Sequence, residues 1–375
     1  MLHQELSKLT ITYVKNRFKH YYSKTKLPTP PNIHMREIAL QPFGQDTYIR
    51  HLSFNDITEL TKYILDKVPR NLFYSSALYE YPSAKNMDEK VWLGSDLIFD
   101  IDSDQIRGCI VKEIWVCEKL HYGEGDYGDK CPQCGSKIIT TTDIISKECL
   151  DLALDHVVKL YDVLVEDFGI SKDRVHVYFS GNRGFHVHVH ASHKEMQMSS
   201  ELRREIVDYI KGIGLDTSSL LLNVQVKGPH KRRIEILFPS TNDYGWRRRI
   251  ARALKEVDLE GISRDAIIEN CINNSTIEVD EKVTIDTKRL IRFPLSLHGK
   301  SGLMVIPVDL NKGFDLYKAV PRQFMKGSVK IIPLIKIDKL DLFQVTINAS
   351  PGKKMKVDEY IGIYLALKGL AYIVG

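Results

Sequence analysis

No stretch of the 375 residues is apolar for long enough to cross a bilayer. The most apolar segment near the end, Tyr360–Val374, is too short for a span and carries Lys368, so it predicts a helix or strand that is buried or faces a partner. A secretory signal is missing as well. Met1–Thr25 carries His, Glu, Lys and Arg throughout, which predicts an intracellular, cytoplasmic protein with no membrane association. Nor is there a large excess of one charge. Against 48 Asp and Glu stand 53 Lys and Arg, a net charge of +5, which is compatible with a polyanionic partner without being diagnostic of one. Cysteine is sparse, six in all, and four lie close together, which argues for a metal and against a disulfide frame. Internal repeats and low-complexity tracts are absent. What is present is an ordinary globular composition, 43% hydrophobic and 27% charged, with room for two domains or one large core bearing an insertion.

Hydrophobic periodicity gives a coarse order of elements. Residues 1–24 predict an amphipathic helix with Leu6, Leu9, Val14 and Phe18 roughly on one face, stopped by the linker Lys26–Pro31. Met35–Leu40 and Thr47–His51 suit a hairpin, and Asn55 caps a helix to about Lys67. Leu72–Tyr79 predicts a strand, and 143–168 the clearest helix of the chain, ended by Gly169. Arg174–Phe179 and His186–His190 predict two strands joined by a tight loop. From about Lys194 to Asn274 the pattern turns mainly helical and polar, with basic runs at Lys227–Arg233 and Arg247–Lys255, and reads as an inserted subdomain. Strand character returns at Thr276–Ile285 and Gly302–Pro307.

Four places carry chemistry. In Asp96–Asp104 the apolar residues Leu97, Phe99 and Ile101 alternate, so Asp100 and Asp102 project from one side of a strand end. Two carboxylates held that close repel unless a cation sits between them, and hard oxygen ligands suit Mg²⁺ or Mn²⁺. Cys131-Pro-Gln-Cys134 presents two thiols in the manner of a zinc knuckle. Cys117 with His121 completes a four-ligand set, and Cys109 in place of His121 gives the alternative, so a structural Zn²⁺ is expected. The loop Ser180-Gly-Asn-Arg-Gly184 can offer a hydroxyl, backbone amides and the Arg183 guanidinium to a phosphate, with His186 next to it. His188 and His190 share the face of His186 but read as packed histidines. Finally, Arg292, His298 and Lys300 cluster around Pro294 and Gly299 as a cationic loop wall, and a third carboxylate is available at either Asp280 or Asp286.

In this order, Asp-x-Asp, cysteine knuckle, Ser-Gly-x-Arg-Gly-x-His, late Asp and Ser-Leu-His-Gly-Lys-Ser-Gly resemble the small catalytic subunit of archaeal and eukaryotic DNA primases, the archaeal form in particular. The resemblance covers roughly residues 35–310. It implies a mixed α/β (α+β) catalytic domain at 1–193 and 275–350, with a zinc module at about 109–140. A mainly helical insertion at 194–274 and a C-terminal segment at 351–375 that can contact a partner complete the expected arrangement.

The resemblance further implies a nucleotidyltransferase that makes short primers on single-stranded DNA from nucleoside triphosphates by two-metal chemistry, in complex with a large subunit. Asp100, Asp102 and a late Asp would bind the catalytic metals, and family spacing favours Asp280 over Asp286. Ser180, Arg183, His186, Arg292 and His298 would hold the triphosphate, and Glu37, Tyr48 and Arg50 would lie near it. Asn182 and Arg292 depart from the eukaryotic pattern, which tends to carry Arg and Lys there. Rival readings are an end-extending repair polymerase of the same superfamily and a non-catalytic zinc-dependent nucleic-acid-binding protein.

Overall fold

A computed structural model describes residues 2–190, 192, 195–220, 222–227, 232–255 and 263–375. The chain folds as mixed α/β, with its two largest sheets four-stranded. One sheet has the order Ile306–Pro307, Val175–Phe179, Gly184–Val189, Leu97–Asp102, with every neighbouring pair antiparallel. The other runs Leu290–Arg292, Pro69–Ser75, Ile38–Pro42, Ile49–Leu52, also antiparallel throughout.

The acidic strand earns its place at a sheet edge by alternation. Leu97, Phe99 and Ile101 are buried, and together with Ile98 they join a single core that takes in both large sheets and the C-terminal elements. Truncating a fully buried ring such as Phe99 to Ala would cost about 3–5 kcal/mol. The entrance to this strand is clamped from two sides. Arg36 donates to Asp96 at 2.7 Å and to the carbonyls of Ser75 and Ser76. Arg203, from the helix Ser200–Lys211, donates to the carbonyls of Ser95 and Asp96 at 3.0 and 3.1 Å. Both arginines are almost wholly buried, so removing either would strand desolvated partners at a cost of about 3 kcal/mol or more.

Several local expectations are corrected. The first helix, Leu2–Lys24, buries Thr10, Val14, Phe18, Tyr21 and Tyr22, while Leu9 is 55% exposed, so the apolar face is rotated toward the aromatic end. Asp56, not Asn55, caps the helix Ile57–Lys67, accepting from the amides of Thr58 and Glu59. The predicted strand Leu72–Tyr79 divides at Ser76 into Pro69–Ser75 and Ala77–Tyr79, which join different sheets. The long helix is capped by Ser146, runs Lys147–Asp162, and closes in a π-turn at Val163–Asp167 before Gly169.

The largest departure is at Thr276–Ile285. It is no strand: Asp280 caps a short helix, Glu281–Ile285, because its side chain captures the Lys282 amide. In Gly302–Pro307 only Ile306–Pro307 is strand, beyond an isolated bridge from Leu297 to Met304.

The stretch predicted as mainly helical holds the helices Ser200–Lys211, Gly245–Ala253 and Arg264–Ser275, and also a hairpin of Leu222–Lys227 with Arg232–Leu237. Trp246, Ile250, Ile267, Ile268 and Cys271 give it a small core of its own. Of the basic run Lys227–Arg233, residues 228–231 lie outside the described residues. At the end of the chain, Met355–Asp358 and Ala371–Ile373 flank Ser328–Pro333 in one sheet. The helix between them, Glu359–Leu367, buries Tyr360, Ile361, Ile363, Tyr364 and Leu365 within the chain. Among the described residues no helix is long and apolar enough to cross a membrane.

Candidate active site

Strand register sets the first contacts. Gly184 pairs with Asp102 and His186 with Asp100, so the imidazole and both carboxylates share one face of the sheet. Glycine is required opposite Asp102, because a Cβ there would lie 2.4 Å from the Ile101 carbonyl oxygen and 2.6 Å from Asp102 Oδ1. His186 Nε2 stands 3.4 Å from Asp100 Oδ1, which accepts no hydrogen bond. Burial and the proximity of Asp280 push the Asp100 carboxyl up to about 6, and burial together with Asp100 does the same to Asp102. His186 moves the other way, to about 4, because it is buried and faces Arg292, so it is a neutral ring at pH 7.

Of the two candidate third acids, the structure brings Asp280 to the pair. Its amide donates to the Asp100 carbonyl at 2.9 Å, and its charge raises the Asp100 carboxyl. Asp286 is exposed, and its side chain accepts from the Lys288 amide at the far end of the short helix.

The cationic wall comes from the second sheet. Arg292 ends the strand Leu290–Arg292, donates to Asn71 Oδ1 at 2.9 Å and lies 5.1 Å from the centre of the Phe73 ring. Burial lowers its pKa to about 10, and its charge bears on Asp100 and Asp102. Tyr48 packs edge-on against Phe73, the ring centres 5.5 Å apart. Asn71 also accepts from the Gly299 amide at 2.8 Å, which ties the Ser296–Gly299 loop to Arg292. His298 is buried and held well below its ordinary pKa by burial and by Arg292. Lys300 is exposed at the tip of that loop.

The Ser180–Gly184 loop closes against the same wall. Ser180 Oγ accepts from the amides of Asn182 and Gly184. Gly181 adopts φ +86°, and a Cβ there would fall 2.8 Å from His298 Cβ, so a side chain at this position would separate the two loops. Arg183 reaches Asp104 at 2.9 Å and Asp143 at 3.8 Å.

Glu37 and Arg50 form a different group. Glu37 is buried and pairs with Arg50 at 2.9 Å and Lys90 at 3.3 Å, with His51 Nδ1 at 3.7 Å, so its carboxylate is committed to the two cations. The expected packed role of His188 is consistent with its 2% exposure, with Tyr74 Oη 3.5 Å from its Nδ1. Asn71, Phe73, Lys90, Asp104, Asp143, Arg289 and Lys368 escaped the sequence reading. Of these, Arg289 had a signal, since it lies three residues before Arg292, and its charge bears on Asp100 and His186.

On the cysteine-rich segment, Glu113–Cys117, Tyr122–Glu124 and Ile139–Asp143 form a three-stranded sheet. Ligand atoms of Cys117, His121, Cys131 and Cys134 all fall within 4.8 Å of one another, a donor set and spacing suited to tetrahedral Zn²⁺. Cys109, the alternative to His121, is not available as a ligand, because it forms a disulfide with Cys149.

An acidic strand thus faces the guanidinium of Arg292 and the imidazole of His186. A family model described as DNA primase small subunit matches residues 140–310. Over nearly the full length the chain is similar to proteins named DNA primase small subunit PriS. It is 37% identical to that of Saccharolobus solfataricus and 36% to that of Saccharolobus islandicus strain L.S.2.15, covering 99% of this chain and 97% of each relative. It is 36% identical to that of Staphylothermus marinus, over 96% of this chain and 95% of the relative. The chain belongs to the DNA primase small subunit family.

Proposed function

We propose that this chain is the catalytic subunit of a DNA primase, a nucleotidyltransferase that starts short primers on single-stranded DNA from nucleoside triphosphates. The observation that carries the reading is the pairing of Asp100 and Asp102, both pushed up to about 6, with Asp280 beside them and Arg292 opposite. Carboxylates so disfavoured as anions gain by sharing a divalent cation, and Asp100 Oδ1 offers an oxygen that accepts no hydrogen bond. Asp100, Asp102 and Asp280 would hold Mg²⁺ or Mn²⁺. When bound, such ions supply Lewis acidity at the attacking hydroxyl and at the pyrophosphate leaving group.

The chain's own residues bind and orient. Arg183 and Arg292 present planar forks to phosphate oxygens, and Ser180, His298 and Lys300 complete a pocket around them. Neutral His186 holds its ring beside Asp100 and donates or accepts without adding charge. Tyr48 supports this wall through Phe73, and the Glu37–Arg50 pair braces the neighbouring hairpin.

The other assignments follow from the same reading. Cys117, His121, Cys131 and Cys134 hold a structural Zn²⁺ in a module at about 109–140. The catalytic domain comprises 1–193 and 275–350, with 194–274 as the insertion. A large primase subunit is the partner, the C-terminal segment 351–375 or the insertion offers it a surface, and the protein works in the cytoplasm of an archaeal cell.

The test is primer-independent synthesis on a single-stranded template with Mg²⁺ or Mn²⁺. The full chain with its large subunit is expected to make new chains, and Asp100→Ala or Asp102→Ala to lose at least about 100-fold in rate while keeping the fold. Extension of supplied ends without new starts would instead indicate a repair polymerase. Activity retained in both variants would overturn the metal assignment.

A further inference from the structure

One buried cation lies beside the triphosphate loop without belonging to it. Lys368 follows the helix Glu359–Leu367, and its side chain is 0% exposed. Its Nζ donates to Asn182 Oδ1 at 3.1 Å and to Asp143 Oδ1 at 3.3 Å, and stands 5.6 Å from the centre of the Tyr364 ring. Asn182 is the middle of the Ser180–Gly184 loop. Asp143 is also the carboxylate toward which Arg183 extends one arm, 3.8 Å away, while its other arm is held by Asp104. A fully buried ammonium is costly unless it is paired, so this one is fixed in place by the groups it joins.

We propose that Lys368 is a positioning residue for the triphosphate: by holding Asn182 and neutralising Asp143, it sets the loop and keeps Arg183 free to turn toward phosphate. This rests on the reading of the loop as a phosphate cradle. The logic is a competition for one guanidinium. With Lys368 charged, Asp143 has a full cation at 3.3 Å and only a distant one in Arg183. With Lys368 neutral or absent, Asp143 keeps Arg183 as its sole cation among these contacts, and the arm that phosphate needs is drawn back. Loop and carboxylate would shift together, because both are bonded to the same nitrogen.

The charge state of Lys368 is itself within reach of ordinary buffers. Burial lowers it to about 8, against the pull of Asp143, and Lys300 and Arg183 push in the same direction as burial. The charged and titratable groups facing it are Asp143 on the strand Ile139–Asp143, Arg183 on the loop, Lys300 and His298 on the neighbouring loop, and Tyr364 on its own helix. As pH rises through about 8 the ammonium is lost, so triphosphate affinity falls in that direction. An arginine in its place keeps its charge over the whole range.

The experiment measures KM and kcat for nucleoside triphosphate, and binding of triphosphate and of the bare nucleoside, on the full chain with its large subunit between pH 7 and 9. Lys368→Met is expected to raise the triphosphate KM about tenfold, with a smaller change in kcat and unchanged nucleoside binding. Lys368→Arg is expected to restore KM and to flatten the loss of affinity above pH 8. Triphosphate binding as in the wild type for Lys368→Met, or equal loss of nucleoside and triphosphate binding, would overturn the proposal. If Lys368→Met does not fold, the comparison of wild type with Lys368→Arg across the pH range decides alone, and identical profiles overturn it. Arg183→Ala separates the two layers. Unchanged triphosphate affinity there defeats the cradle itself, whereas its loss together with an indifferent Lys368→Met defeats only the role given to Lys368.

Discussion

The acid site and the thiol site differ in what holds their ligands together. Cys117 Sγ lies 3.8 Å from Cys134 Sγ, and Cys131 Sγ 3.6 Å from His121 Nδ1, so these soft donors gather through their own side-chain contacts. Asp100, Asp102 and Asp280 repel one another, and only backbone keeps them near: two on one strand, the third at a helix cap bonded to that strand. Ligands of the first kind build local structure, and those of the second kind are positioned by structure already built. The two sites should therefore respond oppositely to loss of metal.

The strongest way to break that contrast is selective chelation. Withdrawing Zn²⁺ is expected to unfold the sheet of Glu113–Cys117, Tyr122–Glu124 and Ile139–Asp143, with a loss of binding free energy on the order of 10 kcal/mol, read as lost amide-exchange protection there. Withdrawing Mg²⁺ should stop synthesis and leave that protection unchanged. If protection persists without Zn²⁺, the thiol site is not structural.

The next effect concerns the wall facing the acids. Arg183→Ala should raise the triphosphate KM by about tenfold or more and lower kcat as well, since the guanidinium contacts substrate in both ground and transition states. Steady-state kinetics with an unchanged KM would remove the loop from the phosphate pocket.

The smallest effect sharpens the acid site itself. A carboxyl raised to about 6 in the folded protein, against about 3.9 unfolded, binds more protons folded than unfolded between those values. Its contribution to stability therefore falls as pH rises from about 4 to about 6 and stays low above that. In Mg²⁺-free buffer at pH 7, Asp100→Asn should raise Tm by about 2–4 °C, and the gain should vanish near pH 4. A variant less stable than the wild type at pH 7 would show that the repulsion is not there.

What was legible in the sequence follows the range of the interactions. Asp100 and Asp102 could be read because strand alternation is local, and Cys131 with Cys134 because a knuckle spans four residues. Family spacing favours Asp280 over Asp286, and the structure sets Asp280 beside Asp100, but its local setting is a helix cap and not the expected strand. Asp280 followed by Glu281 is a helix-start signal that the apolar residues around it masked. Asn71 with Arg292, Cys109 with Cys149 and Lys368 with Asn182 meet across 221, 40 and 186 residues, and no periodicity connects partners so far apart. The apolar C-terminal segment was recognisable as buried or interfacial, but its apolarity could not reveal that the lysine within it reaches the loop.

The hydrogen bond from the Asp280 amide to the Asp100 carbonyl, 2.9 Å long, has a mechanical corollary. The acid that arrives 180 residues later in the chain is latched onto the very peptide unit that bears the first one, so neither backbone can shift without straining that bond. Were the two to share an ion, their backbone spacing would be set by that latch, leaving side-chain rotation as the adjustable element.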